Sequence, residues 1–333
     1  MNEKNLSIRT PIRSRRDFLQ ISAGLLLTSA FAGLFSCDPG KPLKVAAQVW
    51  LGYAFLYLGC AQGLISDTSL ELIKTENLGD SASALIKGEV DGAALTLDEV
   101  VHLLDQGLSL KVVLVLDISA GADVVMVPRE IKTPADLQGK RIGVESSSLG
   151  NIMLSKLLKA SQLTRDHIDV VLMGFDHIKA WDENKLDAII TYEPNAHLLE
   201  QKGLLRMWDS RNIPGAIVDV LAVRSDVVTS HASALTEIVT GHFKALGLWR
   251  KNPIDTMYLL GKILQIPPEE VKTAFMGLDL PDASFNRHYL SPPAAELKTA
   301  AADTAQIMMH DKLIRQVPDF ASLFIADFIP GNL

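Results

Sequence analysis

The sequence predicts an α/β protein made of two lobes that face each other across a cleft. Two short buried strands, 92–95 and 188–191, each end in polar residues and lie between helical segments, one in each half of the chain. Strands alternate with helical patterns over much of the length, which indicates βαβ units and a parallel sheet. Two small-residue segments, Ser119–Ala122 and Pro214–Ala216, are the predicted joints between the lobes.

The first lobe is predicted from apolar runs that begin at Leu43. Helical segments between these runs stop at Gly63, Gly88 and Gly107, which suits a helix C-terminus. We expect strands over 43–49, 70–75, 92–95 and 110–116, and helices over 54–62, 81–87 and 98–104. A further strand over 218–223 is predicted to return the chain to this lobe.

The second lobe is predicted between the two joints. Apolar residues at helical spacing, Leu149, Met153 and Leu157, form a stripe typical of a helix packed against a sheet. We expect strands over 124–127, 141–144, 168–173, 188–191 and 204–208, and helices over 149–160, 176–184 and 195–202. After residue 230 the pattern is helical, with helices predicted over 231–250, 254–265, 268–276 and 296–313.

The first 37 residues predict an export signal rather than folded structure. A basic region with the pair Arg15-Arg16 precedes an apolar stretch over 21–35, and small residues lead to Cys37. The pair resembles a twin-arginine signal, and Leu34-Phe35-Ser36-Cys37 resembles a bacterial lipobox in which Cys37 carries the lipid. A plain N-terminal membrane anchor is the alternative. Both hypotheses place the folded part outside the cytoplasm, on a membrane surface.

Composition excludes several functions. The formal net charge is −7 and no basic stripe is present, so nucleic acid is not an expected partner. The chain has two cysteines, Cys37 and Cys60, and no Cys/His cluster with metal-binding spacing. It also lacks a glycine-rich phosphate loop and a Gly-x-Ser-x-Gly elbow. We therefore predict no catalytic residues, no metal and no cofactor.

Four motifs resemble one family of exported proteins. They are Leu56-Tyr57-Leu58-Gly59, Lys87-Gly88-Glu89-Val90-Asp91-Gly92-Ala93, the run from Thr133 to Val144, and Lys185-Leu186-Asp187-Ala188 followed by Thr191-Tyr192-Glu193-Pro194. As a set they resemble the nitrate/sulfonate/taurine-type solute-binding proteins of ABC importers, also called NMT1/Thi5-like. The resemblance covers about 43–250 and implies a type II periplasmic binding fold.

The resemblance also implies an organisation and a set of partners. Residues 1–37 would be the export signal, 38–118 plus 217–333 the first lobe with a helical C-terminal region, and 119–216 the second lobe. The expected protein is a monomer that closes on a small-molecule solute. It would deliver the solute to the permease and ATPase subunits of an ABC importer while its lipid holds it at the membrane.

Candidate ligand-binding residues lie at the predicted strand ends, where open α/β sheets bind ligands. Tyr192 and Glu193 are the strongest candidates, because the resemblance implies ligand contacts there. Ser147 and Ser148 begin a helix and could bind an oxyanion or simply cap the helix. The remaining candidates are Trp50, Tyr53, Thr96, Asp98 and Asp219. Each has a structural alternative: the aromatic residues could cover the sheet, Asp98 could cap a helix, and Asp219 could be a solvated joint residue.

The charges at the strand ends disagree with the anion-binding part of the family. Asp98, Asp123, Glu145 and Glu193 are acidic, and no Lys or Arg accompanies them. Coulomb attraction favours a cationic or amine-bearing solute, so we predict a small nitrogen-containing ligand of amine or pyrimidine type. Nitrate, an alkanesulfonate or taurine is the alternative ligand.

Two further functions are compatible with the same fold. One is a ligand-sensing partner of a membrane receptor, which would share the fold and the site. The second is an enzyme similar to the family's pyrimidine synthase. The enzyme is disfavoured, because Cys60 alone cannot supply the cysteine-rich iron motif of that synthase.

Overall fold

The computed structural model describes residues 40–331. The predicted export signal, including Arg15-Arg16 and Cys37, lies outside the described residues. No helix within 40–331 combines the length and apolar character that crossing a bilayer requires. The described chain contains two mixed β-sheets, each covered by helices, and the two sheets define the first and second lobes as named below.

The sheet of the first lobe has six strands in the spatial order β11-β4-β10-β3-β1-β2. Its central strands are buried along nearly their whole length, as expected for the continuous apolar run of 110–116. One large apolar core, containing Phe55, Leu95 and Leu114, packs against it. The strands are β1 (Leu43–Gln48), β2 (Leu70–Thr75), β3 (Gly92–Thr96), β4 (Leu110–Ser119), β10 (Val218–Arg224) and β11 (Leu278–Asp279).

The sheet of the second lobe has five strands in the spatial order β7-β6-β8-β5-β9. Separate apolar clusters cover its two faces, one around Ile142 and Leu157 and the other around Ile189 and Leu199. The strands are β5 (Asp123–Val127), β6 (Arg141–Glu145), β7 (Asp169–Met173), β8 (Ala188–Tyr192) and β9 (Leu205–Asp209).

Twelve α-helices lie within the described residues. Those of the two lobes up to the second joint are α1 (Ala54–Ala61), α2 (Leu78–Ile86), α3 (Leu97–Asp105), α4 (Ser148–Ser161), α5 (His177–Asn184) and α6 (Asn195–Gln201). Those of the C-terminal region are α7 (Val227–Ser230), α8 (Ala232–Lys251), α9 (Pro253–Leu264), α10 (Pro268–Ala274), α11 (Ala283–Leu290) and α12 (Ala295–His310).

The predicted parallel pairing is present in both lobes, but each sheet also contains antiparallel strands. β10 runs antiparallel to β3 and β4, and β5 runs antiparallel to β8 and β9. The reason is the connection between lobes. A strand that enters a sheet directly from the other lobe, without a crossover helix, arrives in the opposite direction to its neighbours.

Two short segments join the lobes and are bonded to each other. Residues 120–122 link β4 to β5, and residues 210–217 link β9 to β10. The hydroxyl of Ser210 accepts a bond from the Gly121 amide at 2.6 Å and lies 2.7 Å from the hydroxyl of Ser119. The carbonyl of Gly277 accepts bonds from the amides of Ala120 and Ala122. A Cβ at position 277 would lie 2.6 Å from the Ala122 nitrogen, so only glycine permits this approach.

The helix α11 and the strand β11 were missed by the sequence prediction. Asn286 on α11 is fully buried, and its side chain donates to the carbonyl of Val115 and accepts from the Val115 amide. At this point β4 contains one residue more than β10, because Asp219 pairs with Asp117 while Val220 pairs with Val115. Asn286 satisfies the backbone N–H and C=O of Val115 beside this bulge. The isolated polar residue gave no sequence signal for that role.

Candidate functional site

A cavity of about 110 Å³ lies between the two sheets, at the ends of strands from both lobes. Its volume compares with the ~150 Å³ of a cavity that holds benzene, so a small organic molecule is the right size. The wall is formed by Gln48, Trp50, Tyr53, Leu78, Gly79, Thr96, Glu99, Asp123, Glu145, Ser146, Ser147, Leu149, Phe175, Tyr192, Ile217 and Asp219. Six of the nine residues predicted for the site are in this wall: Trp50, Tyr53, Thr96, Ser147, Tyr192 and Asp219.

The first lobe contributes the floor of the cavity. Trp50 and Tyr53 lie in the turn between β1 and α1, and Thr96 ends β3. Asp219 on β10 lies directly opposite Thr96 on one side and Asp117 on the other. Asp117 and Asp219 are 1% and 4% exposed, so two carboxyl groups sit side by side away from solvent. Position 52 leaves room for them, since a Cβ there would lie 1.5 Å from Oδ2 of Asp117.

Five buried polar atoms of this floor have no hydrogen-bond partner among residues 40–331. They are Nε1 of Trp50, the hydroxyl of Tyr53, Oγ1 of Thr96, Oδ2 of Asp117 and Oδ1 of Asp219. Buried polar atoms in native proteins are almost always bonded, to protein or to another molecule. A cluster of five around one cavity therefore indicates a place where a ligand or ordered water makes the missing bonds.

Burial also changes the acidity of the floor. It raises the pKa of Asp117 to about 7, against the nearby polar groups of Asp219 and Trp50, which lower it. Burial, followed by the nearby Asp117 carboxyl, raises the pKa of Asp219 well above its usual value. Two like charges cannot both be carried cheaply in this environment, so burial and mutual repulsion both favour a proton on the pair.

The second lobe contributes the opposite wall, with Asp123 and Glu145, and Glu145 accepts two side-chain bonds there. Oε2 of Glu145, at the end of β6, lies 3.0 Å from Nε2 of His177 and 2.9 Å from the hydroxyl of Tyr192. Because a carboxylate only accepts, Nε2 donates; Nδ1 of the same ring lies 2.8 Å from the Thr191 hydroxyl. Burial alone would raise the pKa of Glu145, but the bonds that it accepts, first among them the bond from His177, outweigh burial and lower the pKa.

Aromatic rings line the cavity from both lobes. The rings of Trp50 and Tyr192 meet edge to face across the cleft, with centroids 5.9 Å apart. Tyr192 also packs edge to face on His177. Phe175, in the wall from the second lobe, is 50% exposed, which is high for a phenylalanine. Together these rings offer apolar faces to a planar or short-chain ligand.

Asp98 and Ser148 are brought together, but outside the cavity wall. The hydroxyl of Ser148, at the start of α4, donates to Asp98 and lies 3.1 Å from Oε1 of Glu99, both in the first turn of α3. This contact joins the two lobes directly. Burial raises the pKa of Asp98, and burial followed by Asp98 raises that of Glu99 to about 7. Ser147 is the cap of α4, accepting a bond from the Gly150 amide.

The prediction that Glu193 faces the cleft is wrong. Glu193 is 5% exposed and lies outside the cavity wall. Its carboxylate forms an ion pair with Arg206 and accepts a bond from the His197 amide at 3.2 Å. Successive side chains of an extended strand point to opposite sides, so Tyr192 reaches the cavity while Glu193 is directed toward Arg206 on β9.

Glu99, Gln48 and Phe175 were missed by the sequence prediction, and Asp123 and Glu145 were noted only for their charge. Glu145 ends β6, so the rule that placed Thr96 and Tyr192 at strand ends could have found it. Asp123 begins β5, and its start reaches the same edge only because β5 runs antiparallel to β8. Burial raises the pKa of Asp123 to about 7.

The described residues of the cavity wall contain no Lys or Arg and no metal-binding cluster. Within residues 40–331, no group of three metal-binding side chains occurs. The chemistry of the wall is therefore set by carboxyl groups, hydroxyl groups and aromatic rings.

Comparison with known proteins agrees with this architecture. The NMT1/THI5-like family model matches residues 53–255. The taurine-binding periplasmic protein of Escherichia coli is 24% identical over 277 residues, covering 78% of this chain and 83% of that protein. The periplasmic aliphatic sulphonate-binding protein SsuA of the same organism superposes with a TM-score of 0.73 at 18% identity, over 85% of this chain and 97% of that one.

An enzyme shares the fold as well. The desulfurization enzyme DszB superposes with a TM-score of 0.62 at 17% identity, over 87% of this chain and 97% of that one. The fold is that of the type II periplasmic binding proteins, and fold likeness alone does not separate binding from catalysis. Since the family model covers more than half of the sequence, the chain belongs to the NMT1/THI5-like family.

Proposed function

We propose that this chain is an extracytoplasmic solute-binding protein of an ABC importer that captures a small, nitrogen-bearing cation between its two lobes. One observation carries the choice of ligand. The described residues of the cavity wall include four carboxyl groups, from Glu99, Asp123, Glu145 and Asp219, and no Lys or Arg. The two relatives named for taurine and sulphonates support the binding role, and the cavity chemistry supports the cation.

Electrostatics favours a cation when the lobes close. Closure removes water from the carboxyl groups, which strengthens their mutual repulsion. A cation between the lobes offsets that repulsion, and two opposite charges ~4 Å apart gain about 4 kcal/mol at the dielectric constant typical of protein surfaces. An anion would add to the repulsion. His177 is outside the cavity wall, and its Nε2 is bonded to Glu145.

A zwitterionic aminosulfonate is the second candidate, and one observation favours it. Ser146 and Ser147 lie in the wall at the N-terminus of α4, a helix of 14 residues. Free N–H groups at such a terminus attract an anionic group. A molecule such as taurine could place its ammonium group among the carboxyl groups and its sulfonate at this helix.

Matched compounds can separate these candidates. Thermal-shift and calorimetric titrations of the mature protein would use benzylamine against benzenesulfonate, and taurine against ethanesulfonate, at millimolar concentration. A ligand that binds the native state raises the melting temperature. We expect the amine of each pair to stabilise and the plain sulfonate to have no effect. Stabilisation by the plain sulfonates, or by none of the amines, would contradict the cation proposal.

Binding rather than catalysis is the proposed role. Among the described residues of the cavity wall, no serine is bonded to a histidine, and Cys60 lies on α1, outside the wall. Incubating the protein with the stabilising amine and recovering the compound for mass spectrometry tests this. We expect an unchanged mass. Stimulation of ATP hydrolysis by the reconstituted importer would support transport over a role in ligand sensing.

Anchoring through Cys37 and export by the twin-arginine route are further parts of the proposal. They rest on Arg15-Arg16 and on the sequence Leu34-Phe35-Ser36-Cys37. We expect Cys37→Ala to abolish lipid attachment and to release the protein from the membrane fraction or block its processing. Arg15→Lys combined with Arg16→Lys should stop export by that route. Unchanged membrane attachment and mass of the Cys37→Ala protein would contradict the lipoprotein proposal.

A further inference from the structure

The paired carboxyl groups of Asp117 and Asp219 are the least satisfied feature of the cavity. They face each other across adjacent antiparallel strands, and both are almost fully buried. Oδ2 of Asp117 and Oδ1 of Asp219 have no hydrogen-bond partner within residues 40–331. Asp219 lines the cavity, while Asp117 lies behind it, against Gly52.

The described groups around the pair supply no positive charge. Tyr53 faces it from the turn before α1 and Asp123 from β5, and neither carries a positive charge. Trp50 provides an indole N–H, which can only donate. The basic side chains at the joints, Arg206 and Arg211, are engaged with Glu193 and Asp209. Nothing in the described part of the chain can therefore neutralise the pair except a proton or a ligand.

We propose that Asp219 binds the ammonium group of the ligand and that ligand binding expels a proton held by the Asp117–Asp219 pair. This inference rests on the proposed function. No covalent bond to the ligand forms: an N–H of the cation donates to Oδ1 of Asp219, an O–H bond of the carboxyl pair breaks, and the proton passes to the solvent buffer. Asp117 acts as a positioning residue, because it raises the proton affinity of Asp219 without lining the cavity.

Asp219 is a better acceptor for the ligand than Glu145 on the opposite wall. Oε2 of Glu145 already accepts from His177 and Tyr192, whereas Oδ1 of Asp219 accepts from no residue between 40 and 331. A ligand donor placed at Asp219 satisfies an atom that is otherwise costly to bury. The neutral-pH proton on the pair agrees with burial raising the pKa of Asp117 to about 7 and that of Asp219 well above its usual value.

Calorimetry in two buffers tests whether a proton is released when the ligand binds. Benzylamine is titrated into the wild-type protein near pH 7 in phosphate and in Tris, which take up a proton with very different heats. An alkylammonium group keeps its own proton at this pH, so any buffer dependence comes from the protein. We expect release of up to about one proton per ligand, and an affinity that rises between about pH 6 and about pH 8.

Three substitutions sharpen the result. Asp219→Asn should weaken benzylamine binding by about tenfold or more, which corresponds to ~1.4 kcal/mol, and abolish proton release. Asp117→Asn should retain binding with less proton release. Asp182→Asn, at an exposed carboxylate paired with Lys202, is the control and should match the wild type. Circular dichroism and melting temperatures confirm that each variant is folded.

The outcomes separate this inference from the proposed function. Benzylamine binding with equal heats in both buffers, or equal binding by Asp219→Asn, would overturn the inference and leave the cation function standing. Failure of the wild type to bind any amine of the matched set would overturn the function itself.

Discussion

The two sides of the cavity each bury a carboxyl group, Glu145 in the second lobe and Asp219 in the first, but the surroundings of the two groups differ. In the second lobe, Glu145 receives bonds from His177 and Tyr192 and remains charged. In the first lobe, Asp219 faces the Asp117 carboxyl across the sheet, and burial raises the pKa of both groups, which favours a proton shared by the pair. The contrast indicates that Glu145 is hydrogen-bonded without a ligand, whereas the polar atoms of the first-lobe floor need a ligand to complete their hydrogen bonds.

The difference has a cost in stability. Each unbonded buried polar group destabilises a fold by about 1–3 kcal/mol, so five such atoms on one floor are expensive. A binding site accepts this cost when a ligand later makes the bonds. The following four predictions alter one side of the cavity or the contacts around it, in order of decreasing effect.

The largest loss of stability is expected when the hydrogen bond from His177 to Glu145 in the second lobe is removed. His177→Leu removes the main donor to Glu145 and leaves a buried charge with little compensation, so we expect a loss of about 3 kcal/mol in the free energy of unfolding. Urea denaturation near neutral pH measures it. His242→Leu is the matched control, since His242 is equally buried but has no hydrogen-bond partner in the described structure. Burial lowers the pKa of His242 to about 3, so it is neutral, and its replacement should cost less than ~1 kcal/mol. Equal losses would contradict the distinction.

The second prediction concerns how the stability of the protein depends on pH through Asp117 in the first-lobe floor. The folded-state pKa of Asp117, about 7, exceeds the unfolded value near ~3.9, so the folded protein holds more protons over this range. Stability is therefore highest below the unfolded pKa and falls as pH rises toward about 7, by at most ~1.4 kcal/mol per pH unit for one proton. Asp117→Asn should flatten this fall and gain about 2 kcal/mol over wild type near pH 8.

Denaturation curves at several pH values between about 5 and about 8 check this slope. Asp182→Asn serves again as the control, because it removes an exposed carboxylate that is paired with Lys202 rather than with another acid. A slope that is the same in Asp117→Asn and in the wild type would show that the pair does not titrate as proposed.

A third, smaller effect is expected at the contact between the lobes. Ser148→Ala removes the hydroxyl that donates to Asp98, and the bond contributes about 1 kcal/mol to closure. We expect the affinity for a stabilising amine to fall about fivefold and the radius of gyration of the liganded protein to rise slightly. Ser230→Ala, at an exposed helix end, is the control. Unchanged affinity would mean that the contact does not favour the closed form.

The smallest effect is expected at Glu193. Because its carboxylate faces Arg206 rather than the cavity, Glu193→Gln should leave ligand affinity within about twofold of wild type. The variant is expected to lose stability instead, since it breaks a largely buried ion pair. Calorimetric titration with benzylamine and urea denaturation measure the two quantities. A large loss of affinity without a loss of stability would show that Glu193 contacts the ligand after all.

Much of the architecture was predictable because it depends on local patterns. Continuous apolar runs such as 110–116 and the helix stripe from Leu149 determine buried strands and helices directly. The strand-end rule then placed Thr96 and Tyr192 at the cavity, and Asp219, predicted beside a joint, is there as well. The family resemblance is confirmed by the match over residues 53–255.

The features that the sequence did not predict depend on contacts between residues that are distant in sequence. Glu193 adjoins Tyr192 in sequence, but its direction is set by Arg206 on another strand. The partner of Glu145 is 32 positions away, and the pairing of Asp117 with Asp219 requires two strands that are far apart in sequence to meet. The antiparallel entry of β5 and β10 likewise follows from how the lobes connect, which strand patterns alone do not specify.

The contact from Ser148 to Asp98 and Glu99 has a consequence for the speed of solute exchange. Ser148 donates to Asp98 across the cleft and lies 3.1 Å from Oε1 of Glu99. Asp98 and Ser148 are outside the cavity wall, so part of the attraction between lobes does not depend on a solute. A cleft held shut in this way admits solute only during the fraction of time it is open, which lowers the association rate. The same bond lengthens the residence time of a captured molecule. Such a protein is suited to scavenging a scarce solute rather than to rapid turnover of an abundant one.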